Sequence, residues 1–319
     1  MANNHRHIAF CVNDAYVEYI TPSILSIVKN NDPDSLCIHV LSDFVSERNK
    51  LRLFETVKEY ESLLLQIHIV DGSVLSGLKE TWTIYTWFRV LLPDVLAPNI
   101  HRVLYLDADV LVVDKLDKLF QLDLTNTAIA GTIDLHTKDS ATFLRCGYEP
   151  EKEYICAGVL LMNLDYWREN NIAHRIIQWG RNNNAKSVFP DQDAINYVCR
   201  DSKYLLPLKY DIVDGFFHDL YFLQNYPQEI RECLDAPVVI HYAGQAPWKR
   251  EWANHFYQKE WEKYNRMLRH PAKRHYLTSG WPLVKMLAWN LLHAKERRKK
   301  HISKDIIISR INAVTQNDS

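Results

Sequence analysis

No stretch of 18 consecutive apolar residues occurs in the 319-residue sequence, and the opening MANNHRHIAF lacks a long apolar segment. A membrane-spanning helix and a secretory leader are therefore not expected, and the expected location is the cytoplasm. Glycine (9) and proline (12) are too few and too scattered for a collagen-like or low-complexity chain. The six cysteines, Cys11, Cys37, Cys146, Cys156, Cys199 and Cys233, include no C-x-x-C pair. They are expected to be reduced and mostly buried, and a zinc site built on them is not expected. Charge of one sign is missing too: 38 Lys and Arg face 39 Asp and Glu, a net charge of -1. No global field for nucleic acid follows from that balance. There is no internal repeat, and no G-x-G-x-x-G follows the first apolar segment.

What is present is a globular composition, 47% hydrophobic and 24% charged. A chain of this length can bury roughly three quarters of its extended surface, as one large domain or two ordinary ones. Short apolar runs at Ile8–Val12, Cys37–Leu41, Leu63–Val70 and Arg102–Leu106 read as strands. Helical spacing separates them: Ile20, Ile24, Ile27 and Val28, then residues 46–60, then Trp82–Leu92 stopping at Pro93. Further strands are expected at 127–134, at 155–164 and at Val238–Ile240. Asp165 is expected to cap a helix carrying Trp167, Ile172, Ile176 and Trp179. The alternation predicts an α/β fold, a mostly parallel sheet with helices on both faces. The aromatic-rich segment 205–235 shows no clear topology.

Two acids interrupt the apolar stretch Arg102–Val113, in Tyr105-Leu106-Asp107-Ala108-Asp109-Val110. Buried carboxylates need a cation, strong donors or a changed protonation state. If the strand continues through them, a side-chain period of two puts Asp107 and Asp109 on one side. There they could hold a divalent cation against a phosphate ligand, or simply form a solvated turn. Asp191-Gln192-Asp193 after Pro190 can cap a helix or orient sugar hydroxyls. His241 closes an apolar run just before Gly244, suiting either a structural histidine or a loop over a bound anion.

Several blocks together resemble the family-8 glycosyltransferases, retaining enzymes that include bacterial lipopolysaccharide galactosyl- and glucosyltransferases. These are FRVLLP at 88–93, YLDADVLV at 105–112, AGVLLMNLDYW at 157–167, PDQDAIN at 190–196 and HYAGQAPW at 241–248, preceded by IAFCVNDAY. They fall in the family's order across about three quarters of the chain. The resemblance implies a GT-A type fold, Rossmann-like and mostly parallel, flanked by helices. It implies Mn2+, with Mg2+ as the alternative, held by Asp107, Asp109 and His241 against a UDP-hexose diphosphate. Arg89 would contact the donor, Asp191 its sugar hydroxyls, and Gln192 the reacting face of the sugar. These three would form the catalytic set. Cys11, Val12 and Asn13 would face the nucleotide, with Ala108, Ala157, Gly158, Gly244 and Lys249 completing the donor site.

The chain departs from the family pattern at Cys156, where asparagine is common, and at Ala246, where lysine is common. Asn13 and Ala15 replace a common aspartate and asparagine. Lys249 and Arg250 are the candidates to replace the missing lysine. The implied activity is transfer of galactose or glucose to a glycan or lipid-linked saccharide, with lipopolysaccharide core or another bacterial surface glycan leading. A degenerate nucleotide-sugar binder and a nucleotidyltransferase are the alternatives.

The carboxyl end differs in character. Residues 281–319 carry eight Lys and Arg against three acids, while 1–280 carry a net -6. Leu283, Val284, Leu287, Leu291 and Leu292 repeat at helical spacing before the run Lys295–Lys300. The reading is a transferase domain over 1–280 and a basic, amphipathic helical tail over 281–319. That tail would bind an anionic membrane surface, placing the protein peripherally on the inner face of the cytoplasmic membrane; the alternative is a terminal helix packed on the body with a solvated basic end.

Overall fold

The computed structural model describes residues 5–81, 83–250, 255–276 and 303–316. Seven strands form the larger sheet: β1 (Arg6–Cys11), β2 (Leu36–Ser42), β3 (Leu64–Ile69), β4 (Arg102–Leu106), β6 (Ile129–Thr132), β7 (Val159–Asn163) and β8 (Lys203–Leu206). Their order across it is β3-β2-β1-β4-β7-β6-β8. Only β7 runs against its neighbours, pairing antiparallel with both β4 and β6. A smaller sheet comprises β5 (Val110–Val112), β9 (Ile212–Val213) and β10 (Val239–His241), in the order β5-β10-β9.

The central strands of the large sheet are buried on both faces and divide their side chains between two cores, while the edge strands β3 and β8 are only partly buried. In β1, Ile8 and Phe10 pack with Ile20, Ile24 and Ile27 of the Val17–Asn30 helix. Ala9 and Cys11 point to the other face, with Trp87, Trp167 and Ile176. This is the expected architecture, a mostly parallel sheet with helices on both sides. All six cysteines are buried and unbridged.

Local structure departs from the sequence reading at four places. Around Pro93, an extended 3-10 run over Ile84–Leu91 replaces the expected helix, and Pro93 lies in the first turn of a short helix, Leu92–Val95. That position needs no backbone N–H, so proline starts a helix there instead of stopping one. The run expected over 155–164 splits: Ile155 bridges to Ile133, and the strand begins at Val159. The following helical stripe is two helices, Leu164–Glu169 and Ile172–Asn183, separated at Asn171 with φ +51°. The N-cap of the first is Asn163, which accepts from the Tyr166 N–H, and Asp165 lies inside the first turn.

Among the described residues, no helix is long and apolar enough to cross a membrane. Most of the expected amphipathic tail, residues 281–302, lies outside the described residues. Its last part forms a helix, Lys304–Gln316, whose Ile307 and Ile311 are buried against Phe222, Leu223 and Ile230.

Candidate active site

Strands β1 and β4 run parallel and end together, and the chain beyond their carboxyl ends forms one wall of a cavity of about 800 Å³. Open α/β sheets bind ligands at such ends. Cys11, Val12 and Asn13 enter it from β1; Asp107, Ala108 and Asp109 enter from β4. Ala157 and Gly158 come from the entrance to β7, Asp191 and Gln192 from the Pro190–Val198 helix. His241, Gly244 and Lys249 arrive from β10 and the loop after it, and Arg89 from the 3-10 run. Every residue that the family resemblance assigns to the donor, metal or catalytic set thus lines the same cavity, whereas Arg250 and Asp193 do not.

The two acids are not on a continuing strand. β4 ends at Leu106, and Asp107-Ala108-Asp109 is a turn that carries the chain into β5 of the smaller sheet. The backbone secures each end of that turn separately: Asp107 N–H donates to the Gly158 carbonyl at 2.8 Å, and Tyr242 N–H donates to the Asp109 carbonyl at 2.9 Å. The acids face one ring because the turn spans two sheets, and strand alternation does not account for it.

On Asp107, Oδ1 is fully engaged. It accepts from the Tyr105 hydroxyl at 2.5 Å and from Arg89 Nη2 at 3.0 Å. Its Oδ2 is turned toward His241 Nε2, 3.9 Å away, and Asp109 Oδ1 lies 3.5 Å from that same nitrogen. The other imidazole nitrogen, Nδ1, is 2.8 Å from Asp211 Oδ1, which orients the ring. Each of Asp107, Asp109 and His241 therefore offers one ligand atom, all within 4.8 Å of one another.

Burial alone would push the His241 ring toward neutrality. The charge of Asp211, with hydrogen bonding to Asp109, Asp211 and Cys156, instead holds its pKa well above the usual imidazole value. Burial also drives Asp107 upward, and of its neighbours Arg89 and His241 oppose this while Asp109 reinforces it; the net shift is upward. For Asp109 burial again pushes up, but the hydrogen bond and charge of His241, with Lys249 beyond, bring the carboxyl below its ordinary range. Arg89 and the protonated His241 ring already offset the two carboxylates, and a divalent ion held here would replace the imidazole proton. Two carboxylates and one imidazole form a donor set that suits Mn2+ or a related divalent ion.

Gly158 makes the ring's position possible. A Cβ there would lie 2.1 Å from His241 Cε1, so any side chain would displace the imidazole. Gly244 has a different reason: its φ of +71° is left-handed, with open space around it.

Arg89 is 2% exposed, and its guanidinium faces inward. It donates to the carbonyls of Thr86 and Ala157, pairs with Asp107, and reaches Asp191 Oδ2 at 3.2 Å while stacking 4.2 Å over Tyr105. Gln192 is held at both ends of its amide, accepting from Ala157 N–H at 2.8 Å and donating to Asp134 Oδ2 at 3.2 Å. The Cys156 sulfur, standing where asparagine was expected, lies 3.8 Å from His241 Nδ1 and 3.5 Å from Gly158 N. Lys249 lines the cavity; Arg250 packs over Tyr276 at 5.4 Å.

Sequence reasoning missed Tyr105, Asp134 and Asp211. Asp134 ends the buried run 127–134 and offered a signal as an acid at a strand terminus. Asp211 lies in the segment with no legible topology; its one hint is an acid directly before the apolar pair Ile212–Val213. Its Oδ2 is buried with no hydrogen-bond partner.

Comparison with known proteins points the same way. The family model described as Glycosyl transferase family 8 matches residues 7–252. A lipopolysaccharide 1,2-glucosyltransferase of Escherichia coli is 24% identical over 255 residues, 78% of this chain and 74% of the relative. A lipopolysaccharide 1,3-galactosyltransferase of Salmonella typhimurium is 27% identical over 257 residues, covering 76% and 72%. The crystal structure of galactosyltransferase LgtC, in complex with donor and acceptor sugar analogs, superposes with a TM-score of 0.74. That match is 23% identical and covers 88% of this chain and 99% of the other, which establishes the shared fold.

Proposed function

Since the chain belongs to glycosyl transferase family 8, we propose that it is a retaining hexosyltransferase moving galactose or glucose from a UDP-sugar to a glycan hydroxyl. The proposed acceptor class is lipopolysaccharide core or another bacterial surface glycan; the names of the two relatives above, which carry lipopolysaccharide, support the first. The observation that carries this reading is the convergence of Asp107 Oδ2, Asp109 Oδ1 and His241 Nε2 on a cavity large enough for a nucleotide-sugar.

Asp107, Asp109 and His241 are the residues that would hold Mn2+ or a similar ion, which when bound supplies positive charge beside the donor diphosphate. The remaining work belongs to the chain's own groups. Arg89 keeps Asp107 and Asp191 apart yet fixed, so that one Asp107 oxygen stays directed at the ion site. Asp191 is placed to accept from donor-sugar hydroxyls, and the Gln192 amide, immobilised by Ala157 and Asp134, presents a neutral dipole to the reacting face. A neutral carboxamide is a poor covalent nucleophile. The acceptor hydroxyl is therefore read as attacking from the face that UDP leaves, its proton passing to a phosphate oxygen. Lys249, whose charge bears on Asp109 and which lines the cavity, would add positive charge where the leaving diphosphate develops negative charge.

The test is UDP release from UDP-Glc, UDP-Gal, UDP-GlcNAc and UDP-GalNAc with and without Mn2+. Metal-stimulated release from one of the first two is expected. Pyrophosphate release from a nucleoside triphosphate would establish a nucleotidyltransferase instead, and donor binding without turnover on any acceptor a degenerate binder.

We further infer a peripheral position on the inner membrane face through the basic residues 295–300. Because Ile307 and Ile311 are built into the core beside Phe222, neutralising that basic run is a cleaner test than truncation. Transfer to a lipid-linked acceptor should fall more than transfer to a soluble analogue; equal losses would sink the idea.

A further inference from the structure

The large sheet carries a second group of ligating side chains, at the beginnings of β1 and β2, whereas the cavity lies beyond the ends of β1 and β4. Parallel pairing sets His7 opposite Cys37. Cys37 and His39, two residues apart on β2, share a face with it. His7 Nδ1 and His39 Nε2 are 2.9 Å apart, and with Cys37 Sγ they lie within 4.8 Å of one another. Cys37 and His39 are 1% and 0% exposed.

Three further observations point to a ligand there. The outer nitrogen of His39, Nδ1, is 3.0 Å from His68 Nε2, the kind of second contact that fixes the tautomer of a ligating imidazole. His7 lines a separate cavity of about 840 Å³, shared with His5 and His101, so the group has an approach from solvent. On the same wall, His5 Nδ1 is buried with no hydrogen-bond partner.

We propose that His7, Cys37 and His39 form a metal site for a borderline-soft divalent cation of the Zn2+ type, independent of the sugar-transfer cavity. One thiolate and two imidazoles are a set that Zn2+ favours over Mn2+ or Mg2+. With Zn–N bonds of ~2.0–2.1 Å, tetrahedral binding separates two nitrogens by ~3.3 Å; the His7 and His39 nitrogens, 2.9 Å apart with ring centroids 5.2 Å apart, point at one another, so both rings would turn toward the ion as they part. His5, whose charge bears on His7 and which lines the same cavity, is the candidate for a fourth ligand, with water as the alternative. The ion would join β1 to β2 at the end of the sheet away from the chemistry. Scanning for C-x-x-C spacing does not find such a site, because its ligands are neighbours across two strands.

Cobalt reports it directly. Full-length protein is saturated with Mn2+ and titrated with Co2+, and sulfur-to-cobalt charge-transfer absorption is recorded for wild type, Cys37→Ser, Cys156→Ser and His7→Gln. The proposal expects one Co2+ per chain with the sulfur band in wild type and Cys156→Ser. It expects no band in Cys37→Ser, an affinity at least tenfold weaker in His7→Gln, and displacement by Zn2+. Should Cys37→Ser fail to fold, the affinity of His7→Gln, altered at a half-buried position, decides between the same two outcomes. Absence of the band in wild type, its loss in Cys156→Ser with retention in Cys37→Ser, or unchanged affinity in folded His7→Gln would overturn the site.

Discussion

Two groups of acids in this protein treat negative charge in opposite ways. Asp193, on the same helical turn as Asp191, is wholly satisfied. It pairs with Arg145 through Nε and Nη2 at 3.0 Å each, and accepts from Tyr154 at 2.6 Å, Ser187 at 2.7 Å and the Val188 N–H at 2.9 Å. Asp107 and Asp109 keep one oxygen each directed at His241, at 3.9 and 3.5 Å, too far for a strong hydrogen bond. A fully saturated carboxylate is a structural tie, whereas a pair left under-satisfied in a cavity is arranged for a ligand. The motif PDQD thus holds a structural tie, Asp193, two residues from Asp191, which lines the cavity and pairs with Arg89.

The sharpest way to break this contrast is Asp109→Asn. Sugar transfer should fall by about 10²–10³-fold or more, while the thermal midpoint stays within a few degrees of wild type. Comparable turnover by the variant at saturating donor and metal would mean the cavity acids are not poised for a cation.

Asp193→Asn should show the converse, losing about 3–5 kcal/mol of unfolding free energy with little change in turnover per folded molecule. Its pH signature is calculable in sign. Burial raises the Asp193 carboxyl, but hydrogen bonds from Arg145, Tyr154 and Ser187 outweigh it and bring its pKa below the ordinary 3.8. The folded state then binds fewer protons than the unfolded state. The contribution is complete above the unfolded value and is lost as pH falls through the lower, folded one. Denaturant titrations of wild type and variant should therefore converge in strong acid; a gap that widens there would reverse the assignment.

A subtler effect is expected at Asp211, which holds His241 without facing the ion site. Asp211→Asn should weaken metal affinity about 10–100-fold, with most of the rate restored at saturating metal. An unaltered metal dependence would reduce Asp211 to a packing residue.

The α/β architecture and most of the cavity residues are legible in the chain itself, although this contrast is not. Residues 102–113 announced a strand broken by acids, and the ordered motifs brought Arg89, Asp191 and His241 into one hypothesis. The failures have local causes. Whether Asp107 and Asp109 continue the strand or form a turn stays open in the sequence, because alternation is the simplest rule for an apolar run and the turn depends on Gly158 and Tyr242, distant in sequence. Asp211 escaped because a two-residue strand, Ile212–Val213, leaves no periodicity to detect. Whether an acid is saturated, as Asp193 is and Asp107 is not, depends on partners that arrive from other elements.

The turn from β4 to β5 has a mechanical consequence. One carboxylate is tied to the seven-stranded sheet through Gly158, while the other, with the imidazole, belongs to the three-stranded sheet through Tyr242 and β10. Sliding one layer against the other changes the spacing of these ligands before it breaks any strand pairing. Substitutions within the small sheet, at Val112 or Val239 for example, would then be felt first as an altered spacing of these side chains, before the protein came apart.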